Sequence, residues 1–179
     1  MTRTLTRSYD DSATARNVVE RLEAAGFGGD DISIVGHHEN EGADAGGAAE
    51  GAGIGGIVGG TAGLLAGLGI MTLPGIGPVL AAGWLASTAA GAAVGAAAGG
   101  IVGALTSAGV EERDAHYYAE TIRRGGAVVS VRVAEEKVEV ATAILDGAMP
   151  IDAEARRGEY EAEGWSRFDP LAAPARTLI

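Results

Sequence analysis

The period of the apolar positions changes several times along the chain, and each change marks an element. Residues 2–9 alternate in side-chain character and are rich in Thr, which predicts a strand. After Asp11 or Ser12, apolar residues recur at Ala15, Val18, Val19, Leu22 and Ala25. That is one stripe of a helix, with a capping side chain before it and Gly26 as its stop. Residues 31–35 (DISIV) predict a second strand, so residues 1–36 form a β-α-β unit.

A second set of elements follows much later. VEERDAHYYAETIRRGG predicts a helix ending at Gly125, with Tyr118, Ala119 and Ile122 on its apolar side and Arg123 and Arg124 at its C-terminal dipole. AVVSVRVA, residues 127–134, is the clearest strand. Residues 135–146 predict a helix with Val138, Ala141, Ile144 and Leu145 inward, and residues 150–153 a short last strand. Residues 111–157 thus hold an extra helix and a second half-domain. The C-terminal tail, 158–179, shows no period; its Trp165, Phe168 and Leu171 require apolar surface to pack on.

Between the halves the pattern is different. Residues 37–50 form a polar, Gly-rich linker, and residues 51–110 contain no charged side chain. Pro74 and Pro78, with Gly75 and Gly77, interrupt this segment near its middle, and glycine recurs at every fourth position on both sides. Gly51, Gly55, Gly59, Gly63 and Gly67 mark the first arm; Gly83, Gly91, Gly95, Gly99 and Gly103 mark the second, with Ser87 and Ser107 in the same series. A spacing of four predicts a ridge without side chains along a helix, so the segment reads as a helical hairpin with its tip at the prolines. Glycine costs about 1 kcal/mol against alanine in a helix interior, so close packing against a neighbour has to offset the ladder. Two such arms expose more apolar surface than a soluble monomer tolerates. Sister copies, a lipid bilayer or the domain's own sheet must cover it. Glu50, Glu111 and Glu112 flank the segment with no basic cluster to orient it in a membrane, which ranks sister copies first.

Composition narrows the functional classes. The 179 residues carry a formal net charge of −11, and the acidic excess lies in both flanks, which argues against a nucleic acid or an anionic lipid surface as the main partner. With no Cys there is no disulfide, thiolate metal site or cysteine nucleophile. The N-terminal residues have no apolar run of the signal-peptide kind, so a cytoplasmic location is expected, with membrane association as the variant.

Candidate chemistry is sparse. GAGIGG (51–56) has the letters of a dinucleotide-binding turn, but a linker precedes it where a strand is needed and no acidic residue follows at the ribose position. His37 and His38 with Glu39, Glu41 and Asp44 form one cluster of metal-ligand types, yet adjacent histidines fit a single ion poorly. His116 beside Tyr117 and Tyr118 has no nucleophile to serve. Glu111, Glu112 and Asp114 read as dipole-compensating residues at a helix start. No catalytic, cofactor-binding or metal residue is therefore expected; Trp165 and Phe168 are candidate partner anchors.

The stretches TRSYDDSATARNVVERLEAAGFGGDDISIVG, LPGIGPVLAAG and GVEERDAHYYAETIRRGGAVVSVRV, and more weakly the tail from Gly164-Trp165 to Phe168-Asp169, resemble bacterial general stress proteins of the heat-induced type that carry a glycine-zipper insert. The resemblance implies a non-enzymatic role under stress and transfers no catalytic or cofactor residue. The expected architecture is α+β: a ferredoxin-like split β-α-β sandwich interrupted by a long Gly/Ala-rich helical hairpin. The expected function is stress-associated self-assembly into a homo-oligomer through the glycine ridges, filamentous if the symmetry does not close. The competing class is a membrane-associated protein whose hairpin enters the bilayer. An enzyme or ligand sensor built on the sheet is the third.

Overall fold

The computed structural model describes residues 2–37, 64–73, 75–93 and 100–171. In chain order the elements are β1 (Thr2–Tyr9), α1 (Ser12–Ala24), β2 (Ile32–His37), a 3-10 turn at Leu64–Gly67, β3 (Gly69–Leu73), β4 (Gly77–Gly83), α2 (Trp84–Ala93), α3 (Gly100–Ser107), α4 (Glu112–Arg123), β5 (Ala127–Ala134), α5 (Val138–Asp146) and α6 (Ala153–Ala162). The molecule is a mixed α/β structure around a five-stranded sheet of order β1-β5-β2-β4-β3, in which every neighbouring pair is antiparallel.

Local signals explain the first half-domain. Asp11 caps α1: its Oδ1 accepts from the Thr14 N–H at 2.7 Å and its Oδ2 from the Thr14 hydroxyl at 2.9 Å. The stripe Ala15, Val18, Val19 and Leu22 is fully buried against Ile32 and Ile34 of β2 and Val129, Val131 and Val133 of β5. Ala141 and Leu145 of α5 join them, so α1 and α5 cover one face of the sheet.

The opposite face uses the alternate strand positions. Val35, Val79, Ala81 and Val128 point there and meet Leu85 of α2, Ile101 and Leu105 of α3, and Ala115, Ala119 and Ile122 of α4. The chain's own helices thus sandwich the sheet. Of the three covers considered for the uncharged segment, the domain's own sheet is the one seen for α3, whose Ile101, Ala104 and Leu105 are buried in this layer.

Three expectations are corrected. Gly69–Leu73 and Gly77–Gly83 are not helix: they are the strands β3 and β4, paired as a hairpin with Leu73 opposite Gly77 and the Ile76 N–H donating to the Leu73 carbonyl at 3.2 Å. The prolines and glycines that suggested a helix tip also suit a strand turn, and Met71, Leu73, Val79 and Ala81 reach the second core with a period of two. The second arm is therefore not one helix over 79–107; it is strand β4 followed by α2 and α3. Residues 150–153 form no strand. The Ile151 N–H donates to the Ser8 carbonyl at 2.8 Å, and Asp152 then caps α6 through the Glu154 and Ala155 N–H groups, both at 3.0 Å. The tail is accordingly ordered at its start, with helix to Ala162. Residues 38–50 of the linker and 51–63 of the first arm lie outside the described residues.

Candidate functional site

Among the described residues, the candidate sites are an ion-pair seam and an open strand edge. The first is the seam between α4 and α6. Glu120 is 1% exposed, and its carboxylate accepts from the Arg123 Nε at 2.8 Å and the Arg124 Nε at 2.6 Å. Burial alone would raise its pKa; the two guanidinium partners outweigh it and hold the carboxyl below the ordinary range. Arg124 also pairs with Glu163 and stacks 4.1 Å from the centre of the Tyr160 ring. Arg157, buried on α6, pairs with Asp114 of α4. Around these pairs Tyr118, Tyr117, Tyr160 and Trp165 stack in series, with ring centres 5.2, 6.1 and 5.9 Å apart. Burial pushes the Tyr118 hydroxyl up to about 12.

A pocket of about 70 Å³ opens at this seam, lined by Asp10, Thr121, Arg124, Gly126, Ile151, Arg156 and Tyr160. Its two guanidinium groups are already neutralised. Arg124 holds Glu120 and Glu163, while Arg156 contacts Asp10 at 3.1 Å and Glu159 at 3.0 Å. Counting Arg123 on Glu120, four carboxylates face three cations, which does not form an anion site, and the arrangement serves to dock α6 on α4 and on the β1–α1 loop.

The second place is the outer edge of β3. Ile70 there is 58% exposed, and among the described residues no strand lies beside it.

The expected self-association glycines are dispersed. Gly51, Gly55, Gly59, Gly63, Gly95 and Gly99 lie outside the described residues. Gly67 ends the 3-10 turn, and a Cβ there would meet no atom within 4 Å. Gly91 belongs to α2 and Gly103 to α3, where the Gly103 carbonyl accepts from the Thr106 hydroxyl at 3.1 Å. Gly83 is corrected outright: it sits at φ +85° where β4 turns into α2, and a Cβ would stand 2.2 Å from the Ile32 carbonyl oxygen. It admits the chain's own β2 backbone, not another helix. Beside it the Ser33 hydroxyl donates to the Ala82 carbonyl at 3.0 Å and accepts from the Leu85 N–H at 3.2 Å, capping α2 from a distant strand.

Trp165 and Phe168, read as partner anchors, pack on the chain's own second core, where Phe168 is 5% exposed. The anchor reading is corrected for Phe168. His37 ends β2, whereas His38, Glu39, Glu41 and Asp44 lie outside the described residues; no cluster able to hold a metal occurs among the described ones. His116 faces Glu112 at 3.7 Å one helical turn away. Sequence reasoning missed the Glu120 network and Arg157. The spacings of Glu120 to Arg123 and to Arg124 were its visible signals, since i,i+3 and i,i+4 pairs face each other on a helix.

In comparison with known proteins, no family model, no curated protein and no solved structure matches the chain. What the structure defines is a mixed α/β protein with an antiparallel sheet and a helical layer on each face.

Proposed function

We propose that this is a non-enzymatic, stress-associated structural protein that assembles with copies of itself through its uncharged segment. The observation that carries the reading is the destination of that segment. Its described parts, β3, β4, α2 and α3, add two strands and two helices to the domain and bring an uncharged strand to the sheet edge, in a chain otherwise dense in acidic groups. We read the core as a ferredoxin-like split β-α-β domain. The order β1-β5-β2, with α1 and α5 on one face, supports this, and the Ile151 bond to Ser8 stands where a fourth strand would run. The insert then replaces one hairpin of that domain and extends its sheet by β4 and β3.

The membrane reading gains no support from the helices: none among the described residues is long and apolar enough to cross a bilayer. Flotation in a detergent-free density gradient, with light scattering of the dense fraction, tests both readings. Self-assembly predicts dense protein at a multiple of 17.8 kDa, and Gly59→Leu or Gly95→Leu should reduce that mass if the glycine ridges take part. Protein that rises with lipid favours the bilayer, and a dense monomer refutes self-assembly.

A further inference from the structure

The two edges of the sheet are guarded differently. β1 carries Arg3 and Arg7, Arg7 is tied to Asp146 at 2.8 Å, and the outward Ser8 carbonyl already accepts from Ile151. β3 has no charged residue, no proline and no partner strand among the described residues on its outer side. Natural proteins protect edge strands with charge, proline or cover, because a row of free backbone groups templates another strand.

The register shows which groups are free. Thr72 lies opposite Pro78, which has no N–H, so this pair is of the non-hydrogen-bonded kind. Alternation places Ile70 and Leu80 in the same kind. The N–H and C=O groups of Ile70 and Thr72 therefore point away from β4, whereas those of Met71 point toward Val79.

We propose that β3 docks on β3 of a second copy, antiparallel about a two-fold axis beside Met71. This rests on the self-assembly reading and names its seam. In that register Ile70 of each copy meets Thr72 of the other through roughly four hydrogen bonds in all. Met71 faces Met71. The exposed Ile70 side chain gains the neighbouring Thr72 as cover. A second copy suits the edge because its outward groups are self-complementary, and because each chain, at net charge −11, carries no charge anywhere in residues 51–110. Identical acidic chains meet here without opposing charged side chains along the strand.

The absence of Cys makes the register directly measurable. Met71→Cys should form a disulfide-linked dimer under mild oxidation, because non-hydrogen-bonded antiparallel pairs bring Cβ atoms within disulfide reach. Ile70→Cys and Thr72→Cys should each cross-link alone at least roughly tenfold more slowly, yet link readily when mixed with each other. Thr72→Pro, which removes only an outward N–H, should keep the native thermal melt and lose the cross-link when combined with Met71→Cys. Equal, slow cross-linking of all three variants in a protein that still assembles would overturn the β3 seam and leave self-assembly standing. The same holds if the Thr72→Pro protein is folded and still assembles fully. A wild-type mass of 17.8 kDa at every concentration would overturn both.

Discussion

The two faces of the sheet are held by different physics. Under α1 and α5 the contact is almost wholly aliphatic, with Val18, Val19, Leu22, Ile32, Val131 and Leu145 all at 0% exposure. The Tyr9 hydroxyl donates to the Leu145 carbonyl at 3.0 Å there, and burial raises its pKa. Under α3 and α4 a line of buried hydroxyls crosses the sheet. Thr6 and Ser130 share a hydrogen bond at 2.9 Å, Ser8 and Tyr117 share one at 3.0 Å, and the Tyr118 hydroxyl donates to the Thr6 carbonyl at 3.1 Å. Thr4 donates to the Ala108 carbonyl at 2.8 Å at the end of α3. Both faces gain from area removed from water. The second face also fixes which helix sits where, because a misplaced hydroxyl is left unsatisfied.

The comparison breaks most easily on the aliphatic side. Leu22→Ala should cost about 3 kcal/mol in urea unfolding, through lost transfer energy and the cavity left behind, and that cost should stay constant between acidic and neutral pH. Glu120→Gln should cost about 2 kcal/mol at neutral pH by weakening the pairs with Arg123 and Arg124. Its cost must depend on pH. Because the folded carboxyl titrates below its ordinary value of 4.5, the stabilisation is fully present above that value and disappears as pH falls through the folded pKa. A variant with the same acid slope as the wild type would remove Glu120 from the account. Ser33→Ala should cost about 1–2 kcal/mol by leaving the buried Leu85 N–H without its acceptor, with hydrogen exchange at the start of α2 speeding up first. Asp146→Ala, which breaks the exposed pair with Arg7, should change stability by less than about 0.5 kcal/mol and lose even that in high salt.

The aliphatic face was the legible one. The stripe of α1, the strands 2–9 and 127–134, the stop at Gly26 and the inward Ala141 and Leu145 of α5 follow from periodicity and capping alone; on the other face only the helix ending before Gly125 did. The β3–β4 hairpin was hidden by an arithmetic coincidence. A glycine at every fourth position marks one ridge of a helix, but four is also two strand periods, so Gly83 fitted the ladder while belonging to a strand end. Proline did not arbitrate, since it ends helices and also suits the start of an edge-side strand. The α4–α6 seam was invisible for another reason. Arg157 finds Asp114, and Arg124 finds Glu163, across sequence separations that no local pattern reports. Asp152 could have revealed α6, being a capping residue followed by Glu154 in the first turn; the apolar letters around Ile151 drew the reading toward a strand.

The strand order also dictates a sequence of events during synthesis. β5 lies between β1 and β2, so these two strands do not pair with each other, and among the described strands β1 finds its partner only when residues 127–134 have left the ribosome. Until then β2, β4 and β3 can already join, with β4 in the middle. β1 therefore stays without a strand beside it through most of translation, and until β5 and α5 arrive the aliphatic stripe of α1 has chiefly Ile32 and Ile34 of β2 to pack on.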